Sequence, residues 1–532
     1  VTKLMLSSMI LAPLVGAICQ TVVSKPAGAR IVAFLSSVFS ALIGVFIFLK
    51  GVGQGANAEA FSEQLSWIGS YAISYELSVD GVSRIGVLLI SVLFPVLLAS
   101  EWRREVAGRG LNGLLLILQC ALLGTLCAQD LFLLFFFWAL SSIPTFFLVG
   151  VWGGEGRESA AFRALVVSAA SNALFFGALI LTYYSRDPHS FLIRDLVGGQ
   201  FQDRIIQVVG VDLSLRGVAF TLLCLSMALR APVWPLNGWF SKLIDEAPAS
   251  VAVAISAAGV PVAVQTFARL SHLLFPTVFL DFSDSILAVG VVSVLVGAVV
   301  ALGQRRLTGL FSNLVLIQVG LSLMALGSRS SSAMVGMVYQ QFSAGLALAG
   351  VGLLFGILFA KFPQLSFLGK QEPSPLAGAS SSGLVMGVSL CALTGVPGLS
   401  GFVGQSLILM GGYGRSPMVL LLGSVSLFLL MICLFGIYRA LFLGARVGQH
   451  DDEDAEAQAH SSELNVREKA FFAPIIVAMV LLGLYPKPFL DVIRPAAETL
   501  LSSLSPPPSL PAPAMPEGSS SSVNPEKSES GT

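Results

Sequence analysis

Arg230-Ala231-Pro232-Val233-Trp234-Pro235 cuts an apolar run of helical length, and Thr394-Gly395-Val396-Pro397-Gly398-Leu399-Ser400-Gly401 cuts another in the same way. Proline removes a backbone donor and clashes with the preceding turn, so a helix entering either stretch is interrupted there. Inside hydrocarbon the freed N–H and C=O groups find no water. Such breaks are tolerated only where they face protein or a water-filled cavity. Two broken spans in corresponding places, five spans apart, point to a transporter-like body built from a repeat.

The rest of the chain agrees with that reading. Of 532 residues 55% are hydrophobic and 11% charged, and the mean hydropathy is +0.84. Apolar stretches of about twenty residues, each able to cross a hydrocarbon core of about 30 Å, recur along nearly the whole sequence. The expected fold is an all-α polytopic membrane protein with about fourteen transmembrane helices. The seventh and twelfth are the broken ones. Residues 4–22 are kept as the first span, because Ala17-Ile18-Cys19-Gln20 fits no cleavage site.

Composition also excludes function classes. Net charge is zero, so nothing calls for nucleic acid, and the expected partners are lipids and other membrane subunits. The six cysteines lie inside apolar segments without a CxxC pair and read as small core residues. His189, His272, His450 and His460 fall in or beside loops, so no zinc, haem or iron–sulfur site assembles. The chain carries no flavin, nucleotide or quinone motif, hence no catalytic residue, metal or cofactor of its own. One set of alternate loops gathers more Lys and Arg, including Arg30, Arg103, Arg157, Lys242, Arg306, Lys361 and Arg467, and is assigned to the cytoplasm. Both termini then lie outside, in a bacterial inner membrane.

Ordered motifs carry a resemblance. They are Ser78-Val79-Asp80-Gly81, Phe137-Trp138 through Pro144, Trp234-Pro235-Leu236-Asn237-Gly238-Trp239 with Asp245-Glu246-Ala247-Pro248, Pro397 through Gly404, and Asn465-Val466-Arg467-Glu468-Lys469 with Leu484-Tyr485-Pro486-Lys487-Pro488-Phe489. Together they resemble the antiporter-like, proton-translocating subunits of bacterial NADH-quinone oxidoreductase, respiratory complex I, and within them the M type. The resemblance implies fourteen helices in two inverted five-helix repeats. On that plan residues 1–110 hold helices 1–3, residues 111–275 the first repeat and residues 280–445 the second. An acidic cytoplasmic loop at 446–469, helix 14 at 470–504 and a disordered Pro/Ser-rich tail at 505–532 follow.

The departures from the family pattern bear on mechanism. Where the resemblance implies a mid-membrane line of ionisable groups, this chain has Gln119 and Ala139 for glutamates, Arg230 and Pro261 for lysines, Gln318 and Ala344 for histidines, and Gln405 for a glutamate. A proton relay needs groups whose affinity for a proton can be brought near ambient pH. Glutamine, alanine and proline cannot carry a proton charge, and arginine holds its proton too tightly to cycle as lysine does. Arg230 reads either as a fixed cation or as a side chain pairing with carbonyls freed by Pro232 and Pro235. Asp80 and Arg84 lie four apart on one helix face and read as a structural ion pair. Glu246 is expected to cap span eight, and Arg269 to act as an anchor.

The expected function is a membrane-arm subunit of a complex I-like enzyme, in respiratory electron transport coupled to proton translocation, with its own proton channel impaired or absent. The alternative is a component of a cation/proton antiporter, a membrane-bound hydrogenase or an inorganic-carbon uptake complex.

Overall fold

The computed structural model describes residues 4–52, 61–68, 73–102, 108–185, 189–198, 205–208, 211–362, 376, 379–443 and 463–504. The acidic run from Asp451, most of the loop after Lys361 and the tail beyond Leu504 lie outside the described residues.

The chain opens with α1 (Met5–Val22) and α2 (Pro26–Gly51), followed by a hairpin of β1 (Phe61–Ile68) and β2 (Ile73–Val79). Next come α3 (Gly81–Ser100), α4 (Gly108–Cys127), α5 (Leu131–Leu140), α6 (Ser142–Trp152) and α7 (Arg157–Tyr184). A short α8 (Ile193–Gly198) and a hairpin of β3 (Ile205–Val208) and β4 (Val211–Ser214) lead into α9 (Leu215–Arg230) and α10 (Gly238–Glu246). The second half holds α11 (Ala249–Leu274), α12 (Pro276–Leu302), α13 (Leu307–Gly327) and α14 (Ser331–Lys361). It continues through α15 (Ser380–Thr394), α16 (Ser400–Tyr413), α17 (Pro417–Leu443), α18 (Val466–Leu484) and α19 (Lys487–Ser502).

Among the described residues eleven helices are long and apolar enough to cross a membrane, or twelve if the bent α18–α19 pair is one span. That count is below the fourteen read from hydropathy. Around the two breaks, α9 with α10 and α15 with α16 are each split into pieces too short to count. The breaks fall at Ala231–Asn237, containing Pro232 and Pro235, and at Gly395–Leu399, containing Pro397.

Helices α3, α4, α11, α13 and α14 are almost wholly buried, whereas α1, α2, α7, α12 and α17 leave an apolar face uncovered. Exposed Phe39, Phe282, Phe428 and Phe435 on those outer faces are what a hydrocarbon solvent accepts. The α12–α13 contact is close because it is made of small residues. A Cβ on Gly290 would fall 2.6 Å from the Met324 amide, and one on Gly320 would fall 2.8 Å from that of Val294.

The loops contain structure that an all-helical expectation omits. Between α2 and α3, β1 and β2 pair antiparallel from Phe61 opposite Val79 to Ile68 opposite Ile73. The hairpin delivers Glu63 to the start of α1, where its carboxylate accepts from the Leu6 amide at 2.6 Å, the Ser7 amide at 3.0 Å and the Ser7 hydroxyl at 2.5 Å. An anion there satisfies helix donors that have no partner within the helix.

Residues 470–504, read as one last helix, form two elements bent by 73° at Tyr485-Pro486. Prolines 486 and 488 start the new helix, and α19 is amphipathic. Phe489, Val492, Ile493, Ala497 and Leu500 are buried, while Lys487, Arg494 and Glu498 are exposed.

Glu463 ties the segment before α18 to the start of α15. Its carboxylate accepts from the Ser380 hydroxyl at 3.0 Å, the Ser381 amide at 3.2 Å and the Ser381 hydroxyl. Burial pushes the carboxyl up, and the Ser381 and Ser380 donors outweigh it, bringing it down to about 2 from an ordinary 4.5. A depressed value means that this contribution is complete above 4.5 and fades as pH falls toward 2. Glu463→Gln is expected to cost about 1 kcal/mol at pH 7, as a lost cap does, and the gap to wild type should close in melts near pH 2.

Candidate functional site

The positions that define the expected proton line fall into four clusters. In the first, Arg230 ends α9 and reaches the α5–α6 junction. Its guanidinium donates to Ser142 Oγ at 2.9 Å, to the Trp138 carbonyl at 3.0 Å and to Ser141 Oγ. The Trp138 ring lies 5.1 Å from its central carbon, a cation–π distance. Ala139 sits one residue beyond Trp138, and hydroxyls and a carbonyl, not a carboxylate, accept from the guanidinium. Arg230 therefore pairs with a carbonyl, but with one on α5 and not with those freed by its own break.

The second cluster is a chamber at the centre of the bundle. Pro261 of α11, Gln318 of α13 and Ala344 of α14 line one cavity of about 20 Å³ together with Ser256, Gln340 and Gln341. Its polar groups bond mainly to one another. Gln340 Nε2 donates to Gln318 Oε1 at 2.9 Å, Gln265 Nε2 donates to Gln341 Oε1 at 2.9 Å, and Ser322 Oγ donates to the Gln318 carbonyl at 2.9 Å. Ser256 Oγ, Gln318 Nε2 and Gln340 Oε1 keep unused bonding capacity. The space suits a single water.

Pro261 also shapes this chamber through the backbone. It has no N–H for the Ala257 carbonyl and its ring crowds that turn. Helix α11 widens into a π-type turn over Ala254–Gly259 just before it, a common adjustment at functional places in helices.

Gln119 and Gln405 sit apart from the chamber. Gln119 Oε1 accepts from the Ser37 hydroxyl at 2.8 Å, tying α4 to α2. Gln405 Nε2 donates to the Leu393 carbonyl at 2.8 Å, one of the groups freed at the α15–α16 break. Gly395 turns the chain there with φ +73°, a left-handed conformation that glycine adopts without strain.

A larger vestibule of about 600 Å³ opens toward the face carrying Asp245, Thr308, Lys361 and Glu468. Asp245 accepts from the Thr308 hydroxyl at 2.6 Å and pairs with Arg306 at 3.7 Å, while Lys361 faces Glu468 at 3.8 Å. Phe311 and Gly352 line the vestibule, and Val315 and Leu348 line the chamber. Four residues of helix, about 6 Å, separate the two. That layer is close-packed: a Cβ on Gly352 would meet Val253 at 2.5 Å and Phe311 at 3.0 Å.

The remaining named residues hold the frame. Asp80 caps α3, accepting from the Ser83 amide at 2.7 Å and the Ser83 hydroxyl at 2.8 Å. Arg84 is buried a turn further on, with its guanidinium over Gly51. Arg269 donates to the Leu126 carbonyl at 3.1 Å and to the Ala128 carbonyl, closing the end of α4. Glu246 does not cap α11. Its carboxylate takes the Gly156 amide at 2.9 Å at the start of α7, because α10 ends against that turn.

The family described as NADH:quinone oxidoreductase/Mrp antiporter, TM, matches residues 128–431. This chain belongs to that family. It is 27% identical to NADH-quinone oxidoreductase subunit M of Mycobacterium tuberculosis over 94% of each chain. It is 26% identical to subunit M of Escherichia coli over 88% of this chain and 91% of that one. In fold it matches a chain of respiratory complex I from Thermus thermophilus with TM-score 0.80 at 24% identity, covering 95% of this chain and 100% of that one. A chain of the Mrp complex from Dietzia matches with TM-score 0.79 at 16% identity, covering 94% and 99%.

Among the described residues, no ionisable side chain lines the central chamber. Reasoning from sequence brought Pro261, Gln318 and Ala344 to one place but did not single out Gln265, Ser322, Ser141 and Ser142. Ser322 follows Gln318 by four, a helix-face spacing that could have flagged it. The two serines carried no signal, because which acceptors Arg230 meets depends on how α9 crosses α5 and α6.

Proposed function

We propose that this chain is a membrane-arm subunit of a complex I-like NADH-quinone oxidoreductase, serving as a structural and electrostatic spacer whose own proton channel is impaired or absent. The neutral central chamber carries this reading: seven positions of the expected line offer one fixed cation and no group that can cycle a proton. The close-packed layer between chamber and vestibule supports it further. Redox chemistry then belongs to partner chains, and this chain holds no cofactor. It resides in the bacterial cytoplasmic membrane with both termini outside.

The likeness to an Mrp chain favours a second reading, a component of a cation/proton antiporter or of a related hydrogenase or inorganic-carbon uptake complex. Purifying the tagged protein from its native membrane separates the two. Recovery of complex I-type subunits with NADH oxidation by a quinone is expected, and recovery with a single unrelated partner would reject the assignment. In liposomes, Gln318→Leu and Gln341→Leu should leave the proton count per NADH unchanged. A lower count in either variant would show that protons do pass through this chamber.

A further inference from the structure

We propose that the groove between α7 and α10 binds an anionic phospholipid, with its phosphate on Arg163, an ester carbonyl on the Trp239 indole N–H and an acyl chain along Phe162, Val166 and Val167. The groove measures about 390 Å³ and is lined by those residues with Gly238.

Three observations point to this ligand. First, Arg163 is exposed and makes no ion pair with a carboxylate among the described residues. Second, Trp239 Nε1 is buried at the groove and has no acceptor within the described residues. A tryptophan with a sheltered, unused N–H fits the membrane interface, where one end is apolar and the other meets ester oxygens. Third, the groove floor is open and apolar. Phe162 is 62% exposed and Val166 is 51% exposed, and a Cβ at Gly238 would meet nothing.

Depth agrees with the chemistry. Glu246, the last residue of α10, binds the turn that starts α7 through Gly154 and Gly156, so those helix ends share one level. Arg163 lies six residues along α7 from its start, and Trp239 lies seven residues back along α10 from its end. Both therefore sit about 10 Å from that level at 1.5 Å per residue, so the two side chains lie at matching depth along the groove. From there the Arg163 stem lies along apolar surface while its head reaches a phosphate.

Tryptophan quenching by brominated lipid tests the assignment on the purified, reconstituted protein with its co-purifying chains. The Trp239 signal is the difference between wild type and Trp239→Phe. In bilayers of phosphatidylcholine, dibrominated phosphatidylglycerol should half-quench that signal at about fivefold lower mole fraction than dibrominated phosphatidylcholine, since one basic residue at a membrane surface is worth about 1 kcal/mol toward anionic lipid. Arg163→Gln, a change at an exposed position, should bring the two curves together. Coincident curves in wild type would mean ordinary boundary lipid and overturn the proposal. Absence of quenching by either lipid would mean that a protein partner covers the groove, which also overturns it.

Discussion

Removing the hydroxyls of Ser141 and Ser142 together is expected to destabilise the protein by about 3 kcal/mol, because each accepts from the guanidinium of Arg230 and bonds to charged groups are worth about 1.5–3 kcal/mol each. No salt bridge to Arg230 is found among the described residues, so the hydroxyls and the Trp138 carbonyl stand in for a counter-ion. The Ser141→Ala, Ser142→Ala double variant leaves a half-buried cation with one acceptor and an aromatic face. In an Arg230→Met background the cation is gone, and the same two changes should cost less than about 1 kcal/mol. The difference between backgrounds is the coupling energy of the cluster, read from denaturant or thermal unfolding in detergent. Equal costs in both backgrounds would show that the serines act only through helix packing, and Arg230 would have to be neutralised by some other group.

This cluster also shows why part of the site could be read in the sequence and part could not. The apolar runs and the prolines at 232, 235 and 397 specify a broken-helix membrane body because hydrocarbon forbids most alternatives. Loss of titratable side chains is equally legible, since whether a residue can hold a proton is a property of its type. Partnership is not. By sequence Arg230 is either a fixed cation or a partner of carbonyls freed by its own prolines, and in the fold it reaches two hydroxyls and a carbonyl across a helix crossing. Glu246 looked like the cap of the helix that follows it, yet it serves α7, ninety residues earlier in the chain. The hairpin at Phe61–Val79 has the alternating pattern of strands but lies in a segment that hydropathy marks only as a gap between spans. Long-range packing decides each of these, and a single sequence carries no record of it.

Restoring the glutamate that the family resemblance implies at position 405 is expected to damage the protein without repairing a channel. Gln405 is 3% exposed, and its amide is the donor that satisfies the Leu393 carbonyl at the break. Gly395 leaves no slack there, since a Cβ on it would fall 2.2 Å from Gln405 Oε1. An ionised glutamate has no donor to offer. It would place two charged oxygens against that carbonyl, combining a lost bond, an unsatisfied backbone acceptor and a buried charge, at a cost of about 3 kcal/mol. Gln405→Leu loses the bond but adds no charge, so it should cost about 1–2 kcal/mol. The order of the two variants therefore separates electrostatics from loss of a cap in unfolding experiments. Proton uptake per NADH should not rise in Gln405→Glu, because position 405 does not line the central chamber and the positions that do, Pro261, Gln318 and Ala344, would remain uncharged. If Gln405→Glu proved as stable as wild type and raised the proton count, the broken helix would already be wired to both faces of the membrane, and the spacer reading would fail at its most specific point.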